Sequence, residues 1–390
     1  MRLASIDILR AITMVLMIWV NDFWTLTEVP KWLEHASHGE DYLGFSDIIF
    51  PLFLFIVGLS IPFAIDNRLA KKEGTVSIVK HILIRSLSLL IIGFFMVNYE
   101  TAHSGSMLIG KYFWCLLMAL AVVLIWINWK KSPVPQKWYI VLQVSGAMIL
   151  VFLAVVYRGG EAGQNGMAPQ WWGILGLIGW AYVLNALAYL FSRGNLFFIA
   201  FLWLVLNLLS VMDQTEMAMD PHGFLRYFST IFSGTIPAFT TAGLLASMIY
   251  KRMRGSKMDR VYGILIVLGV LNIVYGLAVK PLWGISKLQG TPSWLAICTG
   301  MGFLLYVLIH YIADVKKHTG WAKIIAPAGT ATLTCYMVPY FIYPISTLMG
   351  IRLPEFWNMG ILGLFTSLVF SLSVVVFTGW LQRRGYSLKL

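Results

Sequence analysis

Asn21, His35 and Asp47 stand at the mouths of two strongly apolar stretches, with the polar run Glu34-His35-Ala36-Ser37 between them. Ionisable groups at the edge of a hydrocarbon layer are expensive, so a cluster of them marks a candidate site. His35 has the clearest chemistry. An imidazole titrates near neutrality and can serve as base or nucleophile, and no membrane helix needs a histidine in the loop before it. A solvated loop residue is the plain alternative. Asp47 could simply cap the next helix. Four residues on, Pro51 has no amide to donate to the Asp47 carbonyl, which leaves that oxygen free at the same mouth.

Other candidates are more scattered. Asp7, Arg10, Met14, Met17 and Asn21 recur at steps of three and four, the signature of one helix face. Asp7 and Arg10 can pair near its start, with Asn21 about 21 Å beyond Asp7 at 1.5 Å per residue. A stripe that only packs a bundle is the alternative. Lys80 and Arg85 lie early in the third apolar stretch, suited to an anionic ligand or to lipid headgroups. Asp220-Pro221-His222 and Lys287 fall in polar segments ahead of later apolar stretches, as candidates for substrate binding; Asp220 before Pro221 also reads as a helix start. The run from Ala326 to Pro339 is rich in small and hydroxyl residues, which fits close helix packing or a cavity wall.

These residues need membrane helices to hold them. Apolar residues make up 59% of the chain, charged residues only 12%, and mean hydropathy is +0.77. The hydrophobicity comes in blocks of about 20 residues, outside the soluble range. The first block is too long, and lacks the cleavage site, for a removable signal peptide. Twelve spans are predicted, near 6–22, 46–65, 78–97, 111–129, 138–157, 172–191, 195–212, 229–249, 260–279, 293–312, 324–348 and 359–380. If the N-terminus is cytoplasmic, inner segments hold 21 of the 29 Lys and Arg and 5 of the 17 acids. That positive-inside pattern predicts N-in and C-in, an all-α polytopic membrane protein forming a single domain over 1–390. His35, Asp220 and Lys287 then face outward.

The net charge of +12 is therefore a topology signal before it is a nucleic-acid one, and no nucleic acid is expected. Cys115, Cys298 and Cys335 each sit inside an apolar block, which argues against disulfides and a cysteine metal site. No metal is expected. There is no Walker loop, no H-E-x-x-H and no G-x-S-x-G in a strand-turn-helix setting.

Several runs together resemble a known family. Ser5-Ile-Asp7-Ile-Leu-Arg10, Met17 to Asn21, Glu34-His35-Ala36-Ser37 and Asp47 to Gly58 resemble the opening of the heparan-alpha-glucosaminide N-acetyltransferase family and its bacterial relatives. Gly173-Ile-Leu-Gly, Asp220-Pro221-x-Gly223, Thr291-Pro-Ser-Trp294 and Gly329-Thr-Ala-Thr-Leu333 follow in order. The resemblance implies that acetyl-CoA on the cytosolic side supplies an acetyl group to an amino sugar on the far side. It makes His35 the catalytic histidine, with Asn21 and Asp47 as companions. The chain departs from the family pattern at Ala11, at His38, at Asp220-Pro-His222 and in a longer interval from His35 to Asp47. Spans four and five, about 111–157, read as an inserted pair.

The expectation is a multi-pass acyltransferase of the bacterial inner membrane. It uses acetyl-CoA as cosubstrate, holds no tightly bound cofactor, and acts on a periplasmic glycan or amino sugar. Arg10 and Arg85 are expected to hold the CoA phosphates, and Asp220, His222 and Lys287 to contact the acceptor. Membrane lipids are expected partners and an oligomer is possible. A secondary transporter is the rival reading, favoured by twelve spans and proline-broken helices.

Overall fold

The structure is a computed structural model that describes residues 3–219, 221–253 and 258–390; Asp220, assigned above to the acceptor, lies outside the described residues. Its regular elements are helical, and eight of the described helices are long and apolar enough to cross a membrane, or nine if one pair bent by 43° is a single span. These are α1 (Ala4–Asn21), α2 (Ser46–Ala70), α3 (Thr75–Glu100), α5 (Tyr139–Val156), α6 (Gly173–Phe191), α10 (Met258–Trp283), α11 (Pro292–His310) and α15 (Gly360–Arg383). The bent pair joins α8 (Ser229–Phe232) to α9 (Thr235–Met253). The apolar helices α4 (Lys111–Trp126) and α7 (Leu196–Met212) are shorter.

The eleventh predicted stretch is not one helix. It breaks into α12 (Ala326–Thr330), α13 (Thr332–Met337) and α14 (Pro339–Leu348). The proline at 339 supplies no amide to the turn before it, which places a helix start there.

The chain forms two compact units. Unit 1 comprises Met1–Thr13, Pro30–Leu87 and Leu177–Lys323. Its centre is α2 against α9, with α11 touching both and α10 lying along α11. The α2–α9 contact is backbone to backbone. A Cβ on Gly58 would fall 1.9 Å from the Thr240 carbonyl oxygen, and one on Gly243 would fall 1.8 Å from that of Phe55. Only glycine permits that approach, which buries Leu54, Phe55 and Leu59 of α2. The last turn of α11 widens into a π-turn, Tyr311–Val315, whose Asp314 carboxylate accepts the Ala4 and Ser5 amides at 2.9 Å each. A distant carboxylate thus caps the start of α1.

Unit 2 comprises Met14–Val29, Ser88–Gly176 and Ile324–Leu390. Here α15 lies on the second half of α1. The Ser371 hydroxyl donates to the Val15 carbonyl at 2.7 Å, and the Trp19 indole to that of Leu364 at 3.0 Å. Helix α4 packs on α5, with buried Trp114 donating to the Leu153 carbonyl at 3.0 Å. By contrast α5 leaves Ile140, Val144, Met148, Val151 and Val155 exposed, a stripe that a hydrocarbon layer would cover.

Candidate active site

The loop before α2 and the opening turn of α2 bring a carboxylate and an imidazole together in unit 1. His35 Nδ1 lies 2.8 Å from Asp47 Oδ1. The second carboxylate oxygen of Asp47 accepts the Ala36 amide at 2.9 Å and the Gly44 amide at 3.3 Å. Asp47 is buried, and its carboxylate is spent on the loop: α2 begins at Ser46 without a side-chain cap. The capping alternative for Asp47 is therefore not the one this helix uses. The loop can close because position 44 is glycine; a Cβ there would sit 1.8 Å from the Glu34 carbonyl oxygen.

A carboxylate can only accept, so the Nδ1 contact places the ring proton on Nδ1 and the lone pair on Nε2. The His35 side chain is 43% exposed against 1% for Asp47. An oriented imidazole with its basic nitrogen outward is the arrangement a general base or an acyl-accepting nucleophile requires.

Lys287 joins this pair. Its Nζ lies 3.2 Å from His35 Nδ1 and 3.7 Å from Asp47 Oδ1. Burial holds its pKa below the ordinary lysine value, against the upward pull of the Asp47 carboxylate. The lysine is delivered by the segment between α10 and α11, which is tied to the His35 loop. Tyr42 donates its amide to the Ile285 carbonyl at 3.1 Å, and the Ile285 amide donates to Asp41 Oδ1 at 2.6 Å.

Two residues that sequence reasoning did not single out complete the site. Asp41 makes the tie just described and carries no motif that could have revealed it. Trp294, fully buried at the start of α11, donates its indole N–H to the Asp47 carbonyl at 3.0 Å, the oxygen that Pro51 leaves without a helical donor. The signal for Trp294 was present in the run Thr291-Pro-Ser-Trp294. Thr291 caps α11 by accepting the Trp294 amide at 3.4 Å, and so fixes where the indole emerges.

The remaining predicted residues lie elsewhere. Arg10 reaches Asp7 at 3.3 Å and the Ser60 hydroxyl at 2.7 Å, and lines a cavity of about 330 Å³ with Asp7, Ser60, Phe63 and Asn67. Arg85 does not line that cavity; its guanidinium lies over the Tyr182 ring, 4.7 Å from the centroid. Asn21 lines a cavity of about 350 Å³ in unit 2, walled by Trp24, Tyr99, Tyr112, Tyr340 and Tyr343, with Glu100 among them. His222 is exposed at the start of the turn Gly223–Phe228, which leads into α8.

Residues 2–162 match the family model of the heparan-alpha-glucosaminide N-acetyltransferase catalytic domain. Over this stretch the chain is similar to that family. None of the curated proteins matches the chain. A heparan-alpha-glucosaminide N-acetyltransferase domain is a membrane acetyltransferase, and the exposed apolar helices suit that setting. The match contains Arg10, Asn21, His35, Asp47 and Arg85, whereas Lys287 and Trp294 come from beyond it. The matched segment thus supplies the imidazole and its carboxylate, and the later part of unit 1 supplies the ammonium and the indole around them.

Proposed function

We propose that the protein transfers an acetyl group from acetyl-CoA, taken on the cytoplasmic side, to the amine or hydroxyl of a sugar on the far side. The observation that carries this reading is the oriented pair His35–Asp47, a half-exposed imidazole 2.8 Å from a buried carboxylate in a segment of acetyltransferase family sequence. In the direct route, Nε2 of His35 takes the acceptor's proton as its nitrogen or oxygen attacks the thioester carbon. The C–S bond breaks, and the CoA thiolate collects a proton as it leaves. Asp47 holds the Nδ1 tautomer and stabilises the imidazolium that forms. In the covalent route, Nε2 itself attacks the thioester carbon, the C–S bond breaks and the CoA thiolate leaves with a proton; the acceptor then attacks the acetyl-imidazole, the C–N bond breaks, and the freed imidazole takes the acceptor's proton.

Arg10 is assigned to the CoA phosphates, because it is a guanidinium at the wall of a cavity. Arg85 keeps the same assignment, with its stacking on Tyr182 fixing the guanidinium plane. Lys287 takes a place beside the acceptor and next to the reacting imidazole. Asn21 keeps the role of a donor to substrate from the wall of the unit 2 cavity.

The test uses detergent-purified protein, labelled acetyl-CoA and a panel of amino sugars. His35→Ala is expected to keep its melting temperature and acetyl-CoA binding while transfer falls by about 10²-fold or more. Undiminished transfer in that variant would end the assignment of His35. A single turnover without acceptor separates the routes: label retained on wild-type protein and absent from His35→Ala marks the acyl-imidazole.

A further inference from the structure

Unit 1 carries a second recess that the transfer chemistry does not use. It measures about 330 Å³ and is lined by Tyr189, Gly194, Leu196, Met248, Lys251 and Arg252. Two cations on the last turn of α9 face the tight turn between α6 and α7. The turn is built by two left-handed residues, Arg193 at φ 52° and Gly194 at φ 69°. Asn195 then caps α7 by accepting the Phe197 and Phe198 amides.

The two cations differ. Lys251 is ion-paired with Asp66 and donates to the Tyr189 hydroxyl at 3.3 Å, and Tyr189 in turn donates to Asp66 at 2.9 Å. Asp66 therefore largely neutralises Lys251. Arg252 is exposed, and its guanidinium has no ion pair or hydrogen bond among the described residues. The recess thus holds one uncompensated positive charge beside a fixed amine and a phenol.

The helix that starts here continues the chemistry in apolar form. Phe197, Phe201, Leu204 and Leu208 of α7 are all exposed and recur at steps of four, three and four. They form one stripe about 16 Å long. A soluble phosphate compound would use the cations and ignore the stripe. An amphiphile with an anionic head and acyl chains matches both.

We propose that this recess binds the phosphate headgroup of an anionic phospholipid, with an acyl chain laid along the exposed side chains of α7. Arg252 supplies the ionic contact, Lys251 supplies a donor held in place by Asp66 and Tyr189, and the α7 stripe supplies the apolar contact.

The test is native mass spectrometry and thermal melting of the full chain in neutral detergent, with dioleoylphosphatidylglycerol and dioleoylphosphatidylcholine as probes. Phosphatidylglycerol should be retained and should raise the melting temperature, and phosphatidylcholine should do neither. Arg252→Gln should weaken phosphatidylglycerol retention about fivefold, the worth of one basic residue near an anionic surface, with its melting temperature unchanged in the absence of added lipid. Phe201→Asn should weaken retention as well. Equal retention of the two lipids, or no effect of Arg252→Gln, would overturn the proposal. So would displacement of phosphatidylglycerol by millimolar inorganic phosphate or acetyl-CoA, which would assign the recess to a soluble phosphate compound.

Discussion

His35 turns one ring nitrogen to a buried carboxylate and the other away from it, while an ammonium sits 3.2 Å from the first. That ammonium lies beside the ring on which positive charge develops during transfer, so its charge state bears on the transfer step. Burial depresses the lysine's pKa, and its proton therefore leaves below the ordinary 10.5. As pH rises through that lowered value the ammonium charge disappears, and the transition state for transfer meets less repulsion. The rate of transfer should accordingly gain an alkaline limb that begins below pH 10.5. Lys287→Arg keeps its charge throughout this range and should flatten the limb in initial-rate measurements. An identical limb in that variant would show that another group titrates. At this scale the sequence brought His35 and Asp47 forward as candidates at one helix mouth, each beside an ordinary alternative, a solvated loop residue and a helix cap. It could not show that Lys287 meets them, since a contact between residues 35 and 287 is made by folding and leaves no local pattern.

Between residues and the whole chain, the elements explain why the pair is rigid. Helix α2 carries Asp47 at one end and lies against α9 through Gly58 and Gly243, so its position is fixed by backbone contact rather than by adaptable side chains. Gly58→Val would push a branched side chain into the Thr240 carbonyl, and is expected to lower stability by about 3 kcal/mol. A fall in detergent melting temperature should accompany loss of transfer. A variant as stable as wild type would mean that α2 and α9 can separate without harm. The long apolar helices were legible as windows of hydrophobicity, including the turn at Ser192-Arg193-Gly194 that divides α6 from α7. The breaks that split the eleventh stretch were not, nor was the π-turn that brings Asp314 to the start of α1. A window average registers apolarity and is blind to which carbonyls lack a donor.

Over the whole molecule, charge distribution is the strongest orientation signal, and it is open to direct measurement. All three native cysteines are buried, so the wild-type chain should be silent to a bulky maleimide. Ser37→Cys and Lys71→Cys place single exposed thiols in the loops before and after α2. With a cytoplasmic N-terminus, a membrane-impermeant maleimide added to intact cells should label Ser37→Cys and leave Lys71→Cys unlabelled until the membrane is opened. The reverse order would invert the topology and remove His35 from the acceptor side. The match of residues 2–162 to the acetyltransferase family model is what points to membrane acetyl transfer at this scale. The two-unit organisation has no counterpart in the sequence, because each unit is assembled from three separated stretches.

The indole of Trp294 repairs a helix from outside, donating to the Asp47 carbonyl where Pro51 cannot. The two positions should therefore be epistatic. Trp294→Phe alone leaves a buried carbonyl unpaired and is expected to destabilise by about 1–3 kcal/mol. Pro51→Ala restores an amide four residues beyond Asp47, and in that background the same tryptophan change should lose much of its effect. Full additivity in the double-mutant cycle would show that the indole serves packing alone. If the pair is coupled, neither residue can drift on its own: a lineage that replaces the proline frees the tryptophan to change, and one that keeps the proline must keep the indole.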